Sequence, residues 1–113
     1  MLKLAQMRII ARRTLREFVE SLSGKKDQPA VKAALDAWFD EASKAGWKNT
    51  ADVKRRYATA RIVSAERIVF NIKGNDYRLV VFVDFEKAIV WIKWIGTHRA
   101  YDKIDVREVR HGH

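Results

Sequence analysis

Arg67-Ile68-Val69-Phe70-Asn71-Ile72, then Lys73-Gly74-Asn75-Asp76, then Tyr77-Arg78-Leu79-Val80-Val81-Phe82-Val83-Asp84-Phe85, is the stretch that decides the fold. The first run is β-branched and aromatic and predicts a strand. Lys-Gly-Asn-Asp is a turn signal. Tyr77–Phe85 then predicts a long strand, with Leu79, Val81 and Val83 on one face and Arg78, Val80 and Phe82 on the other. Asp84–Lys87 turns again. Ala88–Ile95 predicts another strand, apolar on both faces except at Lys93. Three runs joined by two tight turns make an antiparallel meander.

Working outward, a short extra strand is expected over Arg61–Val63, and a first strand over Met7–Ala11. Between them the period changes. Leu15, Phe18, Val19 and Leu22 recur at helical spacing, with Thr14 as the expected cap and Gly24 placed to end the helix. Pro29 suits the first turn of a second helix, because it needs no amide partner there. Val31, Ala34, Leu35, Trp38, Phe39 and Ala42 form its apolar stripe, and Gly46 is placed to end it. Asn49 or Thr50 caps a short third helix through Arg56. Asp102–Arg110 is expected as a short terminal helix. The order predicts an α+β domain: an N-terminal strand and two to three helices packed on one face of a twisted antiparallel sheet. The other face is left free to bind. Residues 1–113 read as a single domain, and Met7 is a plausible start that would make residues 1–6 an N-terminal extension.

Composition narrows the function. The 113 residues carry 23 Lys and Arg against 14 Asp and Glu, a formal charge of +9. Such a surface attracts polyanions, which makes nucleic acid the natural partner. There is no cysteine, so disulfides, thiolate metal sites and a cysteine nucleophile are excluded. The histidines are His98, His111 and His113, with no zinc-site spacing. Neither a cofactor nor a metal is expected. No secretory or membrane-spanning segment is visible, and a cytoplasmic protein is expected.

Four features bear on chemistry. Arg78 enters a strand directly after a turn, where a guanidinium can grip a phosphate with a bidentate fork; the plainer reading is an exposed or salt-bridged arginine. His98, in Gly96-Thr97-His98-Arg99-Ala100-Tyr101-Asp102, is the one histidine away from the C-terminal residues and follows a strand end. It is suited to proton transfer, or else simply caps a turn. Tyr101, three residues on, joins it if the segment turns helically. Lys93 interrupts an apolar strand and must find solvent, a carboxylate or a phosphate. Alternation puts Trp91, and not Trp94, on its face. Lys54-Arg55-Arg56 is the densest basic run, either a solvated helix end or a phosphate-docking patch. Lys73 and Arg99 join it as candidate RNA-binding cations. Aromatic residues interleaved with charge in the strands suit base stacking, although Trp38, Phe39 and Phe70 fit apolar stripes.

Arg67-Ile-Val-Phe-Asn-Ile-Lys-Gly-Asn-Asp-Tyr-Arg-Leu-Val-Val, followed by Ile95-Gly-Thr-His-Arg-Ala-Tyr-Asp-Lys-Ile-Asp, resembles the HigB toxin family of type II toxin–antitoxin systems. Ala37-Trp38, Trp47-Lys48 and Ala51-Asp-Val-Lys-Arg-Arg-Tyr resemble it too, so the likeness runs from Met7 to about Asp105. It implies a RelE-like fold and a messenger-RNA endonuclease acting in the ribosomal decoding site. It also implies a HigA-type helix-turn-helix antitoxin as partner, the complex repressing its own operon. By the same resemblance Arg78 matches the family's strand arginine. His98 and Tyr101 match its Thr-His-x-x-Tyr segment, and Lys93 a basic position on the last strand. The rival classes are a non-catalytic RNA-binding module and a protein-interaction domain that receives an acidic partner.

Overall fold

The computed structural model describes residues 6–109. His111 and His113 lie outside them, as does nearly all of the proposed extension. The order is β1 (Arg8–Ile10), α1 (Arg12–Ser21), α2 (Gln28–Lys44), α3 (Thr50–Arg56), β2 (Arg61–Ile62), β3 (Arg67–Ile72), β4 (Tyr77–Asp84), β5 (Ile89–Thr97) and α4 (His98–Tyr101). This is the expected α+β arrangement, with β3 and its following turn where the sequence put them.

Local chemistry explains the boundaries. The β3–β4 turn needs left-handed backbone, which Gly74 adopts without a steric cost. Pro29 sits in the first turn of α2. Asn49 caps α3, its side chain accepting from the Asp52 amide at 3.0 Å, while Asp52 accepts from the Lys48 amide at 2.9 Å. Two expectations shift. Helix α1 begins at Arg12 after an extended Ala11, so Thr14 lies inside it and its amide bonds to the Ala11 carbonyl at 3.1 Å. The last helix is the single turn α4. There the Thr97 hydroxyl accepts from the Ala100 amide at 3.1 Å and starts the helix ahead of the expected position. Residues 102–109 form turns instead, and Arg110 lies outside the described residues.

The sheet order is β1-β5-β4-β3-β2. The meander is antiparallel, but β1 runs parallel to β5, Arg8 opposite Ile89 and Ile10 opposite Trp91. The sheet is therefore mixed, not wholly antiparallel. Parallel pairing requires a crossover, and here the crossover is most of the domain.

One face is the core. Ile68, Phe70, Leu79, Val81, Val83, Val90, Ile92 and Ile95 meet Leu15, Val31, Leu35, Trp38 and Val53 from the helices. Trp38 touches Phe70 edge-on at 5.4 Å, and Trp47 stacks on it at 6.0 Å. Among the described residues no charged or polar side chain is buried. Val69 and Val80 are also buried yet stand outside the helix-side cluster. Cover for the outer face therefore comes from elsewhere. Arg67 holds the chain's last described turns there, donating to the carbonyls of Val106 (3.4 Å) and Val109 (3.1 Å).

Candidate functional site

A bulge decides which side chains share the outer face. Val80 stands opposite Trp94 and Val81 opposite Ile92, so Lys93 is an extra residue in β5. Simple alternation would send Trp94 to the helix side. The bulge lets Trp94 follow Lys93 outward. Its indole lies over Gly96, where a Cβ would stand 2.5 Å from Trp94 Cη2. Trp94 also packs against Tyr101, ring centroids 6.2 Å apart. The Tyr101 hydroxyl accepts from Arg61 Nη1 at 2.8 Å. A phenol that accepts from a guanidinium keeps its own proton to donate. Lys93 itself lies beside two rings, 5.9 Å from Trp91 and 6.0 Å from Phe82.

Arg78 stands opposite Gly96 on the same outer face. Its Nη1 donates to the Asn75 carbonyl at 2.7 Å and the Tyr77 carbonyl at 3.2 Å. Both bonds use one nitrogen of a five-donor fork, so the side chain is braced by its own turn and keeps donors for an anion. Tyr77, one residue earlier, points the other way. Its phenol donates to Asp27 Oδ2 at 2.6 Å, and its ring meets Phe18 edge-on at 5.7 Å. Burial first, and then the Asp27 bond, push its pKa up to about 12.

His98 opens α4, its amide donating to the Asp76 carbonyl at 3.0 Å. It lines a shallow cleft of about 260 Å³ with Asp27, Asp76, Tyr77, Thr97 and Arg99. Arg78 is not among the residues lining that cleft. The two groups lie at one end of the sheet, around the start of β4 from each other. Lys73 pairs with Asp76 at 2.8 Å. That bond holds the Asp76 carboxyl below its usual range and the Lys73 ammonium above its own. The cleft is thus mixed in charge, although the chain as a whole is strongly basic.

The densest basic run lies elsewhere. Helix α3 packs on the helix side, with Val53 in the core. Lys54 donates to the carbonyls of Ala58 (2.7 Å) and Ala60 (2.8 Å), and Arg55 pairs with Asp52 at 2.6 Å. Arg56 pairs with Glu41, which also accepts from the Tyr57 hydroxyl at 2.7 Å. Burial and Glu41 together push Tyr57 above the usual phenol range. The structure therefore brings Arg78, Lys93 and Tyr101 to the outer face, and places His98 and Arg99, with Lys73 beside Asp76, around the end of the sheet in a cleft whose other walls, Asp27 and Tyr77, belong to the helix side. It separates Lys54, Arg55 and Arg56 from them.

Sequence reasoning missed Arg61, Trp94 and the opening that Gly96 provides. Arg61 had a local signal, a charge on a short strand. Its meeting with Tyr101, forty residues on, had none.

A helix layer under a mixed sheet, with the opposite face cationic and aromatic, defines a small basic α+β domain with an open working surface. The model of the HigB_toxin family, the RelE-like toxic component of a toxin–antitoxin system, matches residues 31–104. That is well over half of the chain, and the chain belongs to this family. It is accordingly a toxin of a toxin–antitoxin system, with an antitoxin as its partner. No curated protein matches it. Among the described residues no helix is long and apolar enough to cross a membrane.

Proposed function

We propose that this toxin is a ribosome-dependent messenger-RNA endoribonuclease that stops translation in the cytoplasm. The observation that carries the reading is the convergence around Gly96. Arg78 stands opposite it, the Trp94 indole lies over it and Tyr101 backs that indole under an Arg61 hydrogen bond, while His98 lies around the end of the sheet in the cleft with Asp76 and Tyr77. Cleavage by the RNA's own 2′-hydroxyl needs a base, an acid and positive charge on the phosphorane oxygens, roles that imidazole, phenol and guanidinium can fill.

In this mechanism His98 takes the 2′-hydroxyl proton as the oxygen attacks the adjacent phosphorus. The new O2′–P bond forms and the P–O5′ bond breaks, leaving a cyclic phosphate. Tyr101 supports the leaving 5′-oxygen by donating its proton. Arg78 stabilises the charge on the phosphorane oxygens, with Lys93 positioning the strand. Lys73 and Arg99 take neighbouring phosphates at the rim. Lys54, Arg55 and Arg56, on the other side, face the ribosomal RNA backbone, where positive charge aids docking without base readout. No metal enters this scheme, so a chelator should leave cleavage intact. Alignment by the ribosome is worth about 7–11 kcal/mol of barrier in favourable cases, so action on naked RNA is expected to be weak. A HigA-type helix-turn-helix antitoxin is the proposed neutralising partner.

The test is induced expression with and without the adjacent gene, with transcript 5′ ends mapped. Growth arrest with new 5′ ends inside translated messages, relieved by the neighbour, is expected. Growth without arrest would return the chain to a binding or interaction domain.

A further inference from the structure

The outer face is unevenly covered. Toward β2 and β3 it lies under the turns that Arg67 holds, and Val69 and Val80 are buried there. Toward β1 and β5 it is open. Trp91 is 38 % exposed, the one large hydrophobic side chain so exposed among the described residues. It belongs to a row across four strands, Ile10, Trp91, Phe82 and Arg67. A single part-exposed indole is ordinary on a protein surface, so what it could bind depends on its neighbours.

Its surroundings say which kind. On β1, Ile9 packs toward the core, so Arg8 and Ile10 stand on the outer side. Arg8 is exposed, opposite Ile89, two residues before Trp91 along β5. Lys93 lies two residues after it, its ammonium 5.9 Å from the indole ring. Cations therefore flank the part-exposed ring along the strand axis, with the Lys93 ammonium over it. An aromatic plane flanked by positive charge is the pattern that single-stranded nucleic acid uses, stacking a base on the ring and laying its phosphates on the cations. The +9 charge of the chain favours that occupant over an apolar partner surface.

We infer that Trp91 is a base-stacking platform for single-stranded RNA, with Arg8 and Lys93 taking the phosphates on either side. The inference rests on the ribonuclease reading and adds a subsite to it. Seven positions separate Trp91 from His98 along β5 and into α4, about 20 Å at strand rise. The platform therefore holds a nucleotide a few positions from the scissile bond. The message would run along the outer side of β5, past Lys93 and Trp94, toward Tyr101 and His98. Its role is positioning and affinity, not proton transfer.

The experiment compares the parent chain with Trp91→Ala, Trp91→Phe and Arg8→Ala. Each is checked for an unchanged thermal melt, and binding of a fluorescein-labelled, mixed-sequence single-stranded RNA is read by anisotropy. Trp91→Ala should weaken binding roughly five- to hundred-fold, the range for loss of one stacked base. Trp91→Phe should stay within about three-fold, since a ring remains. Arg8→Ala should weaken binding a few-fold and reduce its salt dependence by about one ion. Parental affinity in a folded Trp91→Ala chain would overturn the platform. So would unchanged RNA binding with loss of the co-purifying antitoxin, which would give the indole to a protein contact. If the parent still cleaves messenger in a translation extract, only the platform falls. If the parent neither binds RNA nor cleaves, the ribonuclease reading falls with it.

Discussion

On the helix side of β4 stand Leu79, Val81 and Val83, none of them touching water; on the other side, one residue out of step, stand Arg78, Val80 and Phe82. The same comparison runs along β5, where Val90, Ile92 and Ile95 face the helices while Trp91, Lys93 and Trp94 face away. Each inner side chain contributes about 1.5–3 kcal/mol by leaving water. Of the outer side chains, Arg78 and Lys93 carry charges that no packed core would tolerate unpaired, while Val80 is apolar and buried. The difference teaches that the apolar core and the proposed working surface are the two faces of one sheet. Substitutions should therefore separate them.

The largest effect is expected at the proposed catalytic groups. Arg78→Ala and His98→Ala should each lower cleavage of translated messenger by about 10²–10⁴-fold, the scale for losing a charge stabiliser or a proton-transfer group. Their unfolding midpoints should hardly move. Full activity in both, with the fold intact, would reject the assignment. On the inner side, Phe70→Ala should cost about 3–5 kcal/mol of stability, read from denaturant unfolding. Its folded fraction should still cleave. A folded but inactive Phe70→Ala chain would break the division.

Gly96→Ala tests the seam between the faces. A methyl there would meet the Trp94 ring, so the indole must move and Tyr101 loses its backing. About 1–3 kcal/mol of destabilisation is expected, with a changed near-ultraviolet indole signal and slower cleavage. A smaller effect is the alkaline limit. Tyr77 ionises near 12 in the fold against 10.0 for an unperturbed phenol. The stability that this raised pKa contributes is thus fully present below pH 10 and is lost as pH rises through about 12. Following phenolate absorbance, Asp27→Asn should lower that midpoint only part of the way, because burial is the larger cause. Smallest of all, Arg55→Ala should slow cleavage only a few-fold and weaken its salt dependence.

The sequence made the hairpin legible because its signals are local. Gly74 in a polar turn and alternation in Tyr77–Asp84 are properties of neighbouring residues. So are Pro29 at the start of α2 and Asn49 at the cap of α3. What it concealed depends on partners far along the chain. Nothing in Arg8–Ile10 announces that it lies parallel to β5, because that pairing spans the domain. The Lys93 bulge leaves no compositional mark, yet it turns Trp94 outward and so rebuilds the site. The terminal segment looked helical by composition, but the Thr97 cap starts the helix early and Arg67 captures the residues that follow. Charge density was a poor guide as well. The richest run, Lys54–Arg56, spends much of its hydrogen bonding on Ala58, Ala60, Asp52 and Glu41. The candidate chemistry sits where cations are fewer and better held.

Mapping messenger 5′ ends in a translating extract, with the parent chain and with His98→Ala side by side, bears most directly on the division of labour between the faces. New ends inside translated codons should build up with the parent and fade by orders of magnitude in the variant, both proteins showing the same melt. Equal cleavage by the two, or none by the parent at full folding, would contradict a working outer face built around Gly96.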